Sequence, residues 1–209
     1  MDEINRATYE QIADEFSSTR AYIWKCVKQF LDKSPPNATM LEIGCGNGKN
    51  MEYARQRQLQ IVGIDLSQRF VEICTNKQLD VRKADATNLP FPNSRFAYVM
   101  CIAMFHHLLS DDDRNKSFRE ILRILKPGGK GILTCWAVEQ PKDSNVKFQP
   151  GINEVPWKGR KQVNRMRYYY AYTEQMFRSY FDSFQEIGID EIYNEQGNWI
   201  LLFTKKPSV

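Results

Sequence analysis

The chain has 209 residues, with 29 lysines and arginines against 25 acidic residues and a net charge of +4. This length suits one domain that buries about 70% of its unfolded surface and needs no disulfides or metals to stabilise it. The five cysteines stand singly without a C-x-x-C pair, which argues against a zinc site or a disulfide framework. Because no apolar run reaches the roughly 18 residues that span a bilayer and the first residues are polar, we expect a cytoplasmic or nuclear protein.

The positive charge is concentrated in residues 141–170. That segment has seven basic residues and two acidic ones, a net charge of +5 (7 − 2), so the rest of the chain sums to −1 (4 − 5). The basic residues are Lys142, Lys147, Lys158, Arg160, Lys161, Arg165 and Arg167. Composition leaves two interpretations open, a solvated loop and a contact surface for a polyanionic substrate.

The first 36 residues are predicted to form two helices. One covers about 4–16, and the second covers about 20–32, where Ile23, Val27 and Leu31 fall on one face. The second helix should end before Pro35.

Short apolar runs separated by helical lengths follow, which is the pattern of a parallel sheet wound with helices. The runs are 39–43, 60–64, a weak 79–82, 96–102 and 130–135. A helix over 112–125 precedes the fifth run, and the sequence Pro127-Gly128-Gly129 should end it. The sequence therefore predicts an α/β fold.

The last third of the chain begins with residues 139–164, which show no convincing periodicity and are predicted as a long functional or mobile loop. A helix near 173–180 follows. Two final strands, about 184–192 and 199–204, should form an antiparallel hairpin at the edge of the sheet.

The first predicted strand runs into a turn with three glycines at alternate positions, Gly44, Gly46 and Gly48. In open parallel sheets, ligands bind at the carboxyl ends of the strands, and glycine lets the backbone approach them closely. The G-x-G-x-G spacing is shorter than the G-x-G-x-x-G that places a pyrophosphate on a helix N-terminus. Taken alone, this turn is compatible with several adenosyl ligands.

Three acidic residues narrow the choice of ligand. Glu42 precedes the glycines, where a carboxylate repels a pyrophosphate but can hold an amino group. Asp65 ends the second predicted strand and can accept hydrogen bonds from both ribose hydroxyls, and Asp85 follows the third and can accept one from an adenine amine. Together they fit S-adenosylmethionine better than a dinucleotide, although each could simply be a helix-capping or solvated carboxylate.

From Glu42 through Trp136 the chain resembles the class I S-adenosylmethionine-dependent methyltransferases, including Leu125-Lys126-Pro127-Gly128-Gly129 before the fifth strand. The resemblance implies a Rossmann-like, mostly parallel seven-stranded sheet with helices on both faces and a C-terminal antiparallel hairpin. It also implies a set of cofactor-binding residues: Tyr9, Thr19, Glu42, Gly44, Gly46, Gly48, Asp65, Leu66, Asp85, Ala86 and Ala103.

The outlying stretches resemble the eukaryotic tRNA methyltransferases that esterify 5-carboxymethyluridine at the wobble position, a family that includes the methyltransferase domain of an AlkB-related protein. The matching stretches are 16–20, 103–107, 135–140, 155–157, 167–170 and 198–199. Residues 140–165 look shorter than the charged insertion of the yeast-type enzymes. The resemblance therefore implies methyl transfer to the carboxylate of a tRNA base.

Candidate catalytic residues follow from this second resemblance. Arg20 and Arg167 are candidates for holding the substrate carboxylate, because a guanidinium matches it with two parallel hydrogen bonds. His107 is the candidate hydrogen-bond donor; in an extended backbone its side chain should point away from that of His106. Surface arginines and a scaffold histidine are the alternatives.

Aromatic residues are the remaining candidates for substrate contact. Trp136 and Tyr168 should sandwich the extruded base, whereas Tyr169 and Tyr170 are expected to be core residues. Tyr9 should belong to a helix that covers the cofactor, with ordinary helix packing as the alternative.

The resemblance also implies a partner, a small zinc-binding activator protein that pairs with the edge strand near 79–83. The expected layout is one methyltransferase domain over residues 1–209, in which 1–36 cover the cofactor and 139–166 form a basic insertion on the substrate side. Two other functions stay open: a small-molecule methyltransferase acting on a quinone or lipid precursor, and a non-catalytic RNA-binding scaffold.

Overall fold

The computed structural model describes residues 3–157 and 165–207. Two helices come first, α1 (Glu3–Ser18) and α2 (Lys25–Lys33). The alternating part follows, and its elements are β1 (Thr39–Ile43), α3 (Lys49–Gln56), β2 (Gln60–Asp65), α4 (Gln68–Asn76), β3 (Val81–Lys83), β4 (Phe96–Cys101), a 3₁₀ turn (Phe105–His107), α5 (Asp111–Ile124) and β5 (Leu125–Trp136). The remaining elements are β6 (Gly151–Trp157), β7 (Arg165–Ala171), α6 (Glu174–Asp182), β8 (Ile187–Glu195) and β9 (Asn198–Lys205).

Seven strands form one sheet in the order β3-β2-β1-β4-β5-β9-β8. The first five strands are parallel, whereas β9 is antiparallel to β5 and β8 is antiparallel to β9. The predicted Rossmann-like sheet with its C-terminal hairpin is confirmed. Among the described residues, no helix is long and apolar enough to cross a membrane.

Both faces of the sheet are buried, because alternate residues of the central strands belong to different hydrophobic clusters. Leu41 of β1 and Leu133 of β5 pack in a cluster with residues of α5 and α6. Met40 and Ile132, their neighbours in the same strands, pack instead with residues of α2 and α3. Because strand side chains alternate between faces, this division shows that helices cover the sheet on both sides.

Several boundaries differ from the sequence-based predictions. Helix α2 begins at Lys25 rather than near residue 20, so residues 20–24 form an extended connection between the two helices. Strand β5 begins at Leu125, and the pairing register shifts between the contacts at Phe96 and Tyr98. Residues 126–129, predicted to end the helix, therefore form an irregularity within the strand, because a proline and two glycines disturb regular pairing there.

The largest difference lies in residues 139–164, predicted as a loop. Strand β6 occupies Gly151–Trp157 and pairs antiparallel with β7 in a separate two-stranded sheet, which we call the substrate hairpin. Strand β6 carries only a few apolar residues and Pro156, so neither periodicity nor propensity predicted it, and pairing with β7 supplies its stability. Lys158, Arg160 and Lys161 of the predicted basic segment lie outside the described residues.

Candidate active site

A cavity lies at the carboxyl ends of the central strands, where the strand order reverses between β1 and β4. The loops that follow β1, β2, β3 and β4 line it, and residues of α1 cover it. This is the place where open α/β sheets bind ligands. Eleven predicted site residues line the cavity, and they are Tyr9, Arg20, Glu42, Gly44, Gly46, Asp65, Leu66, Asp85, Ala86, Ala103 and His107.

The three glycines of the turn after β1 have positive φ angles and different surroundings. A Cβ on Gly44 would lie 2.4 Å from Met104 Cγ, and one on Gly48 would lie 2.4 Å from Leu79 Cδ1. A Cβ on Gly46 would meet nothing within 4 Å, because this residue faces the cavity. Gly48 thus serves the packing of α3 against α4 and is the one glycine of the three that does not line the cavity, whereas Gly46 leaves room for a ligand.

Glu42 is buried at the bottom of the cavity with 1% of its surface exposed. Its Oε1 accepts a hydrogen bond of 2.7 Å from Asn50 Nδ2, whereas Oε2 has no partner among the described residues. Burial raises the pKa of this carboxyl to about 8, against the smaller opposing effects of Asn50 and Lys49. A buried carboxyl oxygen without a partner fits an ammonium group, which would supply both the missing hydrogen bond and the opposite charge.

Asp65 and Asp85 lie on neighbouring walls of the same cavity. Asp65 accepts hydrogen bonds from the backbone N–H groups of Ser67 and Gly46, each 2.9 Å long, so it also fixes the glycine turn. Burial raises the Asp65 pKa to about 6, and the backbone hydrogen bonds oppose that shift. Asp85 accepts from both the backbone N–H and the hydroxyl of Thr87 at 2.8 Å. Each aspartate is thus held in position by local hydrogen bonds.

Ala103 forms a strained point in the cavity wall immediately after β4. Its φ angle is +52°, a left-handed conformation that L residues with a side chain seldom adopt. The hydrogen bond from its backbone N–H to Thr134 Oγ1, 2.8 Å long, helps to hold it there. Such strain is found disproportionately at functional sites.

Helix α1 and the connection after it close the cavity from above. Asn47, in the glycine turn, donates through Nδ2 to the backbone carbonyls of Ser17 and Arg20, at 3.2 and 3.1 Å. The Arg20 guanidinium lies 4.7 Å from the centre of the Phe16 ring and lines the cavity. Thr19 is exposed and hydrogen-bonds to the Phe16 carbonyl and Arg20, so it lies beside the cavity rather than in its lining. Asn47 therefore ties the covering segment to the turn that it covers.

The two histidines do not have the predicted extended backbone. They lie in the 3₁₀ turn, where both side chains are buried and the ring centroids are 4.6 Å apart. Their rings stay together because a 3₁₀ turn does not alternate side chains between two faces as a strand does. His106 Nδ1 accepts from the backbone N–H of Trp136 at 3.1 Å, which makes this residue part of the scaffold.

His107 lines the cavity as a neutral ring. Burial and, to a smaller extent, the charge of Arg167 lower its pKa to about 3, against the opposing effect of a hydrogen bond to the Tyr168 backbone. Its Nδ1 is buried without a partner among the described residues, which leaves Nε2 as the donor to the Tyr168 carbonyl. A neutral imidazole then presents a lone pair at Nδ1. The free nitrogen is therefore an acceptor, rather than the predicted donor.

Arg167 is a buried guanidinium, with 7% of its surface exposed. It forms no ion pair with any residue that the structure describes, and its Nε has no hydrogen-bond partner there. The guanidinium lies 4.9 Å from the ring centre of Trp157 and 5.4 Å from that of Tyr169, and it hydrogen-bonds to the Tyr9 hydroxyl. Because an unpaired buried charge is costly, this arrangement favours an anionic ligand.

The aromatic residues differ from the predicted pair. Trp136 stacks directly on Tyr169, with centroids 4.1 Å apart and an interplanar angle of 22°, and Phe148 lies 4.7 Å away. Tyr168 follows Arg167 in β7, so its side chain points to the opposite face of the substrate hairpin. The predicted sandwich of a base between Trp136 and Tyr168 is not formed, and Tyr168 contributes its backbone carbonyl instead.

Tyr169 is buried, as predicted for a core residue, and it is also the tyrosine of β7 that contacts residues of the site. It is 2% exposed, its hydroxyl lies 3.1 Å from that of Tyr9, and its ring lies 4.7 Å from that of His107. Asn47 and Trp157 were also missed as site residues. The alternation of side chains along β7 could have identified Tyr169 from the sequence, because residues 167 and 169 must lie on the same face of the strand. Asn47 and Trp157 act through contacts that are remote in sequence.

Comparisons with known proteins agree with this geometry. Residues 41–133 match the model of a methyltransferase domain family. The chain is 38% identical over 65% of its length to the tRNA (carboxymethyluridine(34)-5-O)-methyltransferase of Arabidopsis thaliana, and 34% identical over 71% to that of Saccharomyces cerevisiae. It spans 33% of the first protein and 54% of the second.

Solved S-adenosylmethionine-dependent methyltransferases share the fold. One similar structure is a complex between the Trm112 methyltransferase activator of Haloferax volcanii and a methyltransferase, with a TM-score of 0.72 and 16% identity over 98% of this chain and 99% of that one. At this identity the likeness shows the fold. The match of residues 41–133 to a methyltransferase domain, the fold and the acidic cavity at the strand ends all support a class I S-adenosylmethionine-dependent methyltransferase domain.

Proposed function

We propose that the protein methylates the carboxylate of 5-carboxymethyluridine at the wobble position of tRNA, giving the methyl ester. The observation that carries this proposal is Arg167, a buried guanidinium without an acidic partner in the described part of the chain, beside the cofactor cavity. The similarity to two tRNA carboxymethyluridine methyltransferases supports the choice of substrate. A neutral small molecule would leave the charge of Arg167 unpaired.

The cavity residues fit S-adenosylmethionine. Glu42 would take the ammonium group, Asp65 the ribose hydroxyls and Asp85 the adenine amine, whereas the open space at Gly46 admits the ligand's approach. When bound, the cofactor supplies an electrophilic methyl group. The alternative of a non-catalytic scaffold is disfavoured, because all three carboxylates line one cavity.

The residues around Arg167 suit a carboxylate acceptor. A carboxylate is nucleophilic at neutral pH, so ester formation needs orientation and exclusion of water rather than a strong base. Arg167 would orient the carboxylate, and the rings of Trp157, Tyr169 and Tyr9 would keep water away from it. Arg20 lines the cavity itself, where it can hold either the substrate or the cofactor's carboxylate.

His107 would recognise the base rather than the carboxylate. Its unpartnered Nδ1 carries a lone pair, which repels a carboxylate and accepts from an N–H group. The N3–H of uracil is such a donor. Trp136, stacked on Tyr169, would support the wall behind the histidines. With the base bound by His107 and the carboxylate by Arg167, a hydrogen-bond acceptor and an arginine each have a role in the same site.

The test uses purified protein, labelled S-adenosylmethionine and tRNA bearing 5-carboxymethyluridine, with and without an activator protein. We expect label at the wobble nucleotide that mild alkali releases, because an ester hydrolyses whereas N- and C-methyl groups persist. The matched control is the same tRNA with uridine at that position. Alkali-stable label, or equal label on both RNAs, would contradict the proposal; labelling of neutral quinone or lipid precursors would favour the small-molecule alternative.

We also propose that a small zinc-binding activator pairs with β3. This strand lies at the edge of the sheet, and Arg82 and Lys83 are exposed. Asp80 O and Ala84 N bond to β2, so by alternation the N–H of Lys83 points outward to a new strand. Support comes from the similar fold of the activator-bound methyltransferase.

Strand addition predicts poor solubility of the protein alone and rescue by co-expression with the activator. Lys83→Pro removes the outward donor and should abolish co-purification, whereas Lys83→Ala should retain it. Equal co-purification of the two variants would contradict pairing along β3.

The layout of the domain completes the proposal. Residues 1–36 cover the cofactor, because α1 contacts the cavity and α4 through the Arg69–Asp14 ion pair at 2.8 Å. Residues 139–166, which include β6 and the start of β7, would form the basic insertion on the substrate side. A cytoplasmic or nuclear location would give access to tRNA, and imaging of the tagged protein tests it.

A further inference from the structure

We propose that Arg165 binds the phosphate of the nucleotide whose base carries the carboxylate held by Arg167. The inference rests on the proposed function and adds a second anion subsite to it. Arg165 is half-buried in β7, and its Nε is buried without a partner among the described residues. It forms no ion pair with any residue in the described part of the chain.

Strand geometry puts Arg165 beside Arg167. Residues two apart in a strand share a face, and their Cα atoms are about 7 Å apart. The face of β7 that carries Tyr169 and Arg167 therefore also carries Arg165, in a row leading away from the histidines. One nucleotide can bridge the two guanidinium groups, because in the anti conformation its 5′-phosphate and its C5 substituent project along the same edge of the base and are separated by the ribose and C6.

Trp157 connects this row with the cofactor cavity. It pairs with Arg165 across the substrate hairpin, so the two side chains share a face. Its ring lies 4.9 Å from the Arg167 guanidinium and 5.9 Å from the ring of Phe16, which lines the cavity. Its Nε1 donates to Glu15 at 3.3 Å, and this carboxylate is the acidic group on the Trp157 side of the row.

The two arginines differ in burial, which suits two different anions. Arg167 is 7% exposed and lies against the rings of Trp157 and Tyr169 and the hydroxyl of Tyr9, where water would be excluded from a reacting carboxylate. Arg165 is more accessible, and a phosphate diester that keeps part of its hydration can reach it. Backbone phosphates fix the register of an RNA without reading its sequence. Arg165 thus positions the nucleotide, and Arg167 orients the group that is methylated.

Four small probes separate the two roles: 5-carboxymethyluridine, its 5′-monophosphate, and an anticodon stem-loop RNA with either 5-carboxymethyluridine or uridine at the wobble position. Wild-type protein should use the monophosphate with about tenfold lower KM than the nucleoside. Arg165→Ala should remove this preference, while Arg165→Lys should keep part of it. Arg119→Ala, an exposed arginine of α5, is the matched control and should behave as wild type.

Binding gives a readout that does not depend on turnover. Arg165→Ala should weaken binding of both stem-loop RNAs about tenfold and reduce the slope of log K against log salt by about 0.7, as expected for one lost phosphate contact. Cofactor affinity should stay at the wild-type value, which shows that the variant is folded. An equal KM for nucleoside and monophosphate in the wild type, or unchanged RNA binding by Arg165→Ala, would overturn the inference. Failure of wild type to methylate any carboxymethylated probe would instead count against the proposed function.

Discussion

The Glu42→Gln substitution tests how the cavity recognises its cofactor. Glu42 is buried with an unpartnered Oε2, and burial raises its pKa to about 8. The free protein therefore holds a proton on this carboxyl at neutral pH. Binding of an ammonium group requires the carboxylate, so the proton must leave. Glutamine has nearly the same shape as glutamate but no ionisable group, so the substitution changes the charge and leaves the packing almost unchanged.

The magnitude follows from linkage. With an amino-acid ammonium pKa of about 7.8, binding at pH 7 should release roughly 0.9 of a proton in the wild type and close to none in Glu42→Gln. Between pH 7 and pH 6, protonation of Glu42 should weaken binding about eightfold. Asp65, with a pKa raised to about 6, adds about a further twofold in both proteins. Between pH 7 and pH 6, the cofactor affinity of the wild type should thus fall about fifteenfold and that of Glu42→Gln less than about twofold.

Titration calorimetry in two buffers of different ionisation enthalpy measures the released proton directly, and the affinities come from the same experiment. Glu191→Gln, an exposed position in β8, is the matched control and should follow the wild type. Equal proton release by wild type and Glu42→Gln at pH 7 would refute the assignment of Glu42 to the ammonium group. The assignment would also be refuted if the affinities of wild type and Glu42→Gln changed equally with pH.

The same pKa has a consequence for stability without ligand. The folded pKa of Glu42 is raised above its unfolded value of 4.5, so the folded state binds more protons than the unfolded state between about pH 4.5 and pH 8. The contribution of Glu42 to stability must fall as pH rises through this window. The melting temperature of Glu42→Gln should therefore exceed that of the wild type by a margin that grows from pH 5 to pH 8.5.

Four further substitutions test the site. Arg167→Ala should lower kcat at least 100-fold with cofactor affinity nearly unchanged, because this arginine would touch the carboxylate alone; a collapse of cofactor binding would make it structural. Gly48→Ala should destabilise the protein by about 2 kcal/mol or more through the clash with Leu79 in a left-handed backbone, seen as a lower melting temperature. Gly46→Ala has the same left-handed backbone strain but no clash, so it should lower the melting temperature less than Gly48→Ala and should weaken cofactor binding in calorimetry; equal melting temperatures for the two glycine variants would contradict this. Ala103→Gly should raise the melting temperature by about 2–4 °C by relieving a positive φ angle, and an unchanged or lower value would show that Ala103 is not strained.

Sequence pattern predicted the order of the elements and the location of the cavity. The reason is local: apolar runs of strand length alternate with helical lengths, and the carboxyl ends of parallel strands must lie on one side of the sheet. Glu42, Asp65 and Asp85 each adjoin such an end, so their positions in the chain determined that they would meet. The edge position of β3 was implied by the family resemblance rather than by the pattern of apolar residues.

The residues outside the core pattern depended on tertiary contacts. Strand β6 is a strand because β7 pairs with it, and neither its composition nor its periodicity indicated this. The pairing fixes which side chains of β7 pack against the histidines and Tyr9, so Tyr169 rather than Tyr168 is the partner of Trp136. A shift of one residue in that strand would have exchanged the two faces.

The chemistry of two site residues was also decided by the fold. His107 is an acceptor because a 3₁₀ turn buries it with Nε2 directed to the Tyr168 carbonyl. Arg167 is a candidate anion binder because its neighbours are rings rather than carboxylates. The sequence by itself determined the fold and the meeting of Glu42, Asp65 and Asp85 in one cavity, since both follow from the order and ends of the strands. Tertiary structure decided which side chains gather around His107 and Arg167 and in which protonation state, since burial and contacts between distant residues set both.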